Sequence, residues 1–335
     1  MPRKRPLSVP GGQACCLDQR IVSRLWRNQG RMKSIISLLC FLFSTKVLRK
    51  RMPLLANFKL TYRCNLKCAG CPFHVRSQEE NSHMSWETAI RCLDRLKDTG
   101  CRIVIFEGGE PLLWKDAGRD FTDLVRYAKR HFLCVGATTN GTLNLDVPTD
   151  ILWVSIDGPE KTHNELRSNS YEKVLSNIRS SGHKKLLVHC TINNRNWTEL
   201  DELIRTVSGI EQIKGITLQL FYPYNQGEEE LALTVSQRKE ALLKVIELKN
   251  RGYPVMNSFQ GLKAMIRNTW TCHDWLLANV DPDGELSVGC YVAGRGDIKC
   301  RQCGFTPVAE ASLSYELAPG ALYTGWRLFA SHRGC

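Results

Sequence analysis

Between residues 55 and 250, short apolar runs alternate with stretches of helical period, and no other feature of this 335-residue chain constrains its fold as much. Parallel strands need a crossover between them, so repeated strand–helix units imply an α/β sheet. Strands are expected over 55–62, 102–107, 133–139, 151–157, 185–192 and 215–222. Helices are expected near 86–97, 121–131, 171–180, 197–207 and 235–249, the first capped by Ser85 and stopped by Gly100. The six units make one large domain over 55–250. A leader (1–54) precedes it, and a tail (251–335) follows a break at Gly252 and Pro254.

Straight after the first strand, Cys64-Asn65-Leu66-Lys67-Cys68-Ala69-Gly70-Cys71 sets three cysteines at spacings of four and three. Three thiolates can hold three corners of a [4Fe-4S] cube, which leaves one iron open to a ligand. A zinc site would want a fourth ligand, for which His74 is the nearby candidate. Buried thiols packed as small hydrophobes are the plainest alternative. Other suggestive residues fall at strand ends. Gly108-Gly109-Glu110-Pro111 follows strand two, where glycines admit a ligand close to the backbone or simply turn the chain. Thr138-Thr139-Asn140-Gly141-Thr142 follows strand three, and its Asn-Gly is also a generic turn. Strand four ends at Ser155-Ile156-Asp157-Gly158, with His163, read as structural, and Arg167 beyond it. The Arg167 guanidinium suits a carboxylate, or is a solvated charge at a helix start. Strand five ends at Asn193, and strand six at Phe221-Tyr222-Pro223-Tyr224, whose aromatics face a ligand or close the barrel.

The cysteine spacing resembles the C-x3-C-x2-C signature of the radical S-adenosylmethionine (radical SAM) enzymes. Gly108-Gly109-Glu110 and Thr139-Asn140-Gly141 stand where that family carries similar motifs. The resemblance covers residues 55–224 and, more loosely, 272–303. It implies a partial (β/α)6 TIM barrel with its chemistry at the C-terminal ends of the strands. It implies a [4Fe-4S] cluster on Cys64, Cys68 and Cys71, whose open iron chelates SAM. An electron then splits the sulfonium and releases a 5'-deoxyadenosyl radical. By the same resemblance Gly108, Gly109 and Glu110 meet the SAM amino group, and Asn140 joins that set. Ser155 and Arg167 bind the ribose or carboxylate, and Asn193 reaches the ribose hydroxyls. Gly70 departs from the pattern, since the family usually places an aromatic there beside the adenine. A glycine at this point is similar to adenosylhopane synthase of hopanoid biosynthesis.

In the tail, Cys272, the turn Asp281-Pro282-Asp283-Gly284, a strand-like 285–288, Cys290, and Cys300-x2-Cys303 follow one another. Four cysteines around a hairpin can close a tetrahedral zinc site or hold a cuboidal cluster, and His273 is a substitute for Cys272. The order resembles the SPASM and twitch extensions of radical SAM enzymes, especially the shorter twitch type. That implies an auxiliary [4Fe-4S] cluster on Cys272, Cys290, Cys300 and Cys303, with Zn as the alternative. Cys300-Arg301-Gln302-Cys303 is also similar to the tail of the hopanoid enzyme. Residues 315–329 are expected to pack back on the barrel.

Charge is concentrated in the leader. Residues 1–51 hold twelve Lys/Arg and one acid, Asp18, giving +11 of the chain's formal +13 and leaving +2 for the remainder. The near-neutral body gives no sign of a nucleic-acid surface. Residues 35–43 are apolar, but far short of the ~20 residues that cross a bilayer, and no small-residue cleavage site follows. Either a helix packed on the barrel or an interfacial helix resting residues 33–51 on an anionic membrane fits. Met32 is a candidate start. Fifteen cysteines in a chain this long do not read as a secreted disulfide scaffold. A reducing, low-oxygen cytoplasm is expected, with contact at the membrane periphery and an electron donor such as flavodoxin or ferredoxin.

These features point to a radical SAM enzyme acting on a small-molecule or lipid substrate. The leader, Gly70 and the tail favour an apolar, isoprenoid-like metabolite. A maturase of a ribosomally made peptide is the alternative, and a non-catalytic iron–sulfur carrier, which gains nothing from an open iron, the remote one. Tyr62, Cys190 and Tyr222 are candidate radical quenchers by position, and no acid–base residue is assigned.

Overall fold

The computed structural model describes residues 35–223, 228–291, 300 and 303–330. The suggested start at Met32, the basic segment before Ile35, Tyr224, and Arg301-Gln302 lie outside the described residues. The six expected strands form as β1 (Leu55–Thr61), β2 (Ile103–Gly108), β3 (Cys134–Thr139), β4 (Ile151–Ser155), β5 (Leu186–Ile192) and β6 (Ile213–Leu220). They pair in parallel and in chain order. The helical elements are α1 (35–42), which runs on as a π-turn at Phe43–Val47, then α2 (Trp86–Asp98), α3 (Phe121–Ala128), α4 (Glu160–Leu166), α5 (Tyr171–Ser180), α6 (Leu200–Ser208), α7 (Val235–Asn250) and α8 (Phe259–Arg267). The tail adds α9 (Thr306–Tyr315) and α10 (Pro319–Gly325). The Ser85 cap accepts from Thr88 N at 3.2 Å, as its position suggests. Helices α4 and α8 were not expected: seven and nine residues carry little periodic signal.

The tail does not stand apart from the sheet. Its strand β7 (Leu277–Val280) pairs in parallel with β1, and β8 (Leu286–Val288) returns antiparallel to it. The mostly parallel, eight-stranded sheet therefore runs β8-β7-β1-β2-β3-β4-β5-β6, a partial TIM barrel. Asn57 and Asn279, opposite one another across β1 and β7, join their side-chain amides at 3.3 Å.

Alternation along the strands builds two apolar layers. Phe58, Leu60, Phe106, Val154 and Val188 face outward and pack under the helices. Leu55, Ile103, Ile105, Ile151, Trp153 and Leu187 face inward, where Val308 of α9 and Phe305, Leu328 and Phe329 meet them. The tail thus packs across the inner face of the sheet. Lys185, almost fully buried, fastens its end by donating to the carbonyl oxygens of Arg327 and Leu328 at 2.6 and 2.7 Å. The leader helix lies on this same tail. Phe41 and Thr45 are buried, and Lys46 Nζ sits 3.6 Å from the Tyr315 ring centroid. Its opposite side is exposed at Ile36, Leu39, Phe43 and Val47. No helix among the described residues is long and apolar enough to cross a membrane.

Candidate functional site

The strand ends open into a cavity of about 860 Å³. Its wall contains Cys64, Cys68, Cys71, Gly108, Gly109, Asn140, Ser155, Arg167 and Asn193, so one space gathers nine of the residues singled out from the sequence. Glu110 is not in that wall.

The cysteine loop is tied down at several points. Ala69 N donates to the Leu166 carbonyl at 2.8 Å, and Lys67 N to Ser168 Oγ at 3.0 Å. Polar donors also face the sulfurs. Cys64 Sγ accepts from Leu66 N at 3.4 Å and Asn140 Nδ2 at 3.6 Å, and Arg167 Nη1 lies 4.0 Å from Cys68 Sγ. Burial raises both thiols, Cys68 to about 11. Three part-exposed thiols on one loop, with N–H groups directed at two of them, fit a [4Fe-4S] cluster, which takes thiolates and is tuned by such donors. His74 Nδ1 lies 3.3 Å from the Cys71 carbonyl oxygen. Among the described residues no three His, Cys, Asp or Glu side chains form a closed single-ion site.

Two glycines let the next loop lie against the cysteine loop, backbone to backbone. Gly109 N donates to Thr61 O at 2.7 Å, and Glu110 N to Arg63 O at 2.9 Å. A Cβ on Gly109 would stand 2.2 Å from Arg63 O; Gly108 has φ +120°. Glu110 itself is fully buried and its carboxylate is occupied. It accepts from Asn140 N at 2.7 Å, Thr139 Oγ1 at 2.8 Å and Leu112 N at 3.0 Å. Burial pushes its carboxyl up to about 7, against the pull of these donors. Through these bonds Glu110 joins the loops after β2 and β3.

Arg167 is not a solvated charge at a helix start. It ends α4, its side chain is 15% exposed, and Nε meets Asp157 Oδ2 at 2.5 Å. Asp157 Oδ1 accepts from Thr191 N at 2.8 Å. Its partner raises the Arg167 pKa, while burial opposes the shift. His163 is structural as expected, with Nδ1 accepting from Asp157 N at 3.4 Å and Nε2 3.1 Å from Ser170 Oγ. Asn193 is braced by Asn196, whose Oδ1 accepts its N–H at 2.8 Å. The sequence reading gave no role to Asp157, His189, Thr191, Thr217 and Gln219, all in the cavity wall. The signal was present: Ser155/Asp157, His189/Thr191/Asn193 and Thr217/Gln219 are polar at period two on the inward faces of their strands. Of the candidate quenchers, Tyr222 lines the cavity. Cys190 instead packs in the outer core, and Tyr62 is buried with its hydroxyl 2.6 Å from Arg76 Nη1.

In the tail, burial, then Asp274 and the other three cysteines, push Cys272 up to about 12. Arg238 Nη2 holds the Cys303 carbonyl at 2.7 Å, and Asn268 Nδ2 the Cys300 carbonyl at 3.4 Å. His273 Nε2 is 3.1 Å from Glu316 Oε1, and its ring packs on Tyr315. Phe73, Tyr291 and Phe305 form a row, with successive ring centroids 6.4 and 6.0 Å apart.

Comparison with known proteins agrees with this arrangement. Residues 58–207 match the Radical SAM superfamily. Fe-coproporphyrin III synthase of Methanosarcina barkeri is 25% identical over 215 residues, 59% of this chain and 53% of that protein. Mycofactocin maturase MftC of Mycobacterium tuberculosis is 27% identical over 169 residues, 47% of this chain and 42% of that protein. The chain thus spans about half the length of the curated relatives it matches. Streptococcus suis SuiB bound to the precursor peptide SuiA shares the fold, with a TM-score of 0.57 at 16% identity over 83% of this chain and 67% of that one. Superfamily members work with a [4Fe-4S] cluster and SAM, and SPASM-type relatives carry additional clusters. The chain thus carries a Radical SAM domain over residues 58–207, set in the partial barrel described above.

Proposed function

We propose that this chain is a radical SAM enzyme whose first cluster is held by Cys64, Cys68 and Cys71. The observation that carries this reading is the set of three thiols, two of them facing N–H donors, at the wall of a deep cavity. Bound there, the cluster and SAM supply reductive sulfonium cleavage and a 5'-deoxyadenosyl radical. The chain orients the cosubstrate and excludes water. Gly108 and Gly109 offer close backbone, Ser155 and Asn193 offer polar side chains, and Asp157 fixes the Arg167 guanidinium near Cys68. Cys272, Cys290, Cys300 and Cys303 hold a second [4Fe-4S] cluster, with Zn as the alternative. Anaerobic reconstitution decides between about eight irons per chain and about four irons with one zinc.

The substrate we favour is an apolar, lipid- or isoprenoid-like metabolite. Below the polar ring at the strand ends the cavity is walled by Leu55, Ile103, Leu133, Trp153, Leu328 and Phe329, which suits a hydrocarbon body. A second reading, maturation of a ribosomally made peptide, is favoured by the likeness to MftC, named a mycofactocin maturase, and by the SuiB fold, seen with a precursor peptide. Mass spectrometry of lipids, small molecules and peptides from cells with and without the gene separates the two. A change confined to peptides overturns the first reading. A flavodoxin or ferredoxin is the fitting electron donor.

A further inference from the structure

The cavity has a second end, and that end is apolar. Away from the cysteine loop it is lined by Ile35, Leu38, Leu39 and Leu42 of the leader and by Leu322 and Tyr323 of α10. Four of these also face solvent: Ile35 and Leu322, together with Leu39 at 59% and Tyr323 at 63% exposed. A residue that both lines a cavity and meets water marks its mouth. Leading away from this mouth, exposed apolar side chains at 35, 39, 43 and 47 recur every four residues, which aligns them in one helical stripe that starts at the cavity-lining Ile35 and Leu39. Directly after the stripe come Arg49, Lys50 and Arg51, all exposed, and residues 35–51 contain no acid. Single exposed apolar residues are ordinary; a continuous stripe rimmed by cations and leading from a cavity mouth marks an interaction site.

We propose that this face docks on an anionic bilayer and turns the cavity mouth toward its acyl region. The apolar stripe is buried in the interface, and Arg49, Lys50 and Arg51 lie among the headgroups. A membrane-dissolved amphiphile then enters tail first from the leader side, while its polar end meets the Asp157, His189 and Gln219 ring. This deepens the apolar-substrate reading and rests on it for what enters the cavity; the docking itself rests only on the surface.

The test uses the full chain with vesicles of phosphatidylcholine, with and without phosphatidylglycerol. The wild type should co-sediment with the anionic vesicles and far less with neutral ones. Leu39→Glu/Phe43→Glu changes two exposed positions and should weaken binding about tenfold or more. Arg49→Glu/Lys50→Glu/Arg51→Glu should weaken it by a similar factor, in a salt-dependent way. Hydrogen exchange on vesicles should slow at residues 35–48 and 317–329. Equal binding of L39E/F43E and wild type would mean that charge alone attracts the protein, and overturns the proposal. So does protection confined to other regions, or light scattering that shows the stripe buried in a dimer. None of these readouts involves SAM cleavage, so failure here leaves the radical reading standing, and failure of that reading leaves the docking result standing.

Discussion

Gly70 shows why a family motif can lose its aromatic. Its φ is +66°, and a Cβ there would lie 2.6 Å from Leu231 Cδ1 and 2.9 Å from Phe221 Cε2. The side chains of Leu231 and Phe221, both beyond strand six, occupy the space into which a side chain at 70 would project. Restoring the usual aromatic with Gly70→Tyr should therefore destabilise the chain by about 2 kcal/mol or more, through left-handed strain and overpacking. Thermal unfolding checks this, and an unchanged transition would refute the packing argument. Asp157 and Arg167 give a sharper pairwise case. Arg167→Ala leaves a buried carboxylate unpaired and should cost about 3 kcal/mol, whereas Asp157→Asn/Arg167→Met should recover most of that. Denaturant titration of the single and double variants measures the difference. Glu110 also braces two loops: Glu110→Gln places an amide against the Asn140 or Leu112 N–H and should cost about 1–3 kcal/mol.

At the scale of elements, the tail is fastened by few contacts, and each can be released. Lys185→Met removes two buried hydrogen bonds to the Arg327 and Leu328 carbonyls. Amide exchange should rise in 319–329 while β1–β5 stay protected; uniform exchange would show that the lysine does not anchor this end. Arg238→Ala frees the Cys303 loop and should lower metal bound at the tail cysteines without touching the first three. The six strands and the long helices were legible in the sequence because apolar period two and period 3.6 are strong over those lengths. Strand β7 was not, because four residues, Leu277–Val280, carry no period and their partner β1 lies over 200 positions earlier. The inward polar rows were written in the sequence at 155/157, 189/191/193 and 217/219, yet only the sheet shows that they face one cavity. At Glu110 the motif was plain, but its three donors come from backbone and side chains that only the fold brings near.

For the whole molecule, the tail closes what a six-unit barrel leaves open. Strand β7 extends the sheet beside β1, and α9 and α10 cover the inner face. The cavity is consequently bounded by barrel, leader and tail together, with thiols at one end and aliphatic side chains at the other. Under the proposed apolar-substrate reading, that polarity places a hydrocarbon body in the same space as the cysteine loop. The most direct measurement is 5'-deoxyadenosine formed from SAM by the anaerobically reconstituted full chain with dithionite, compared with Cys64→Ala/Cys68→Ala/Cys71→Ala. The account predicts product from the wild type, and none from the variant, which should lose about four irons per chain and keep its tail metal. Equal product and equal iron in the two proteins would contradict it.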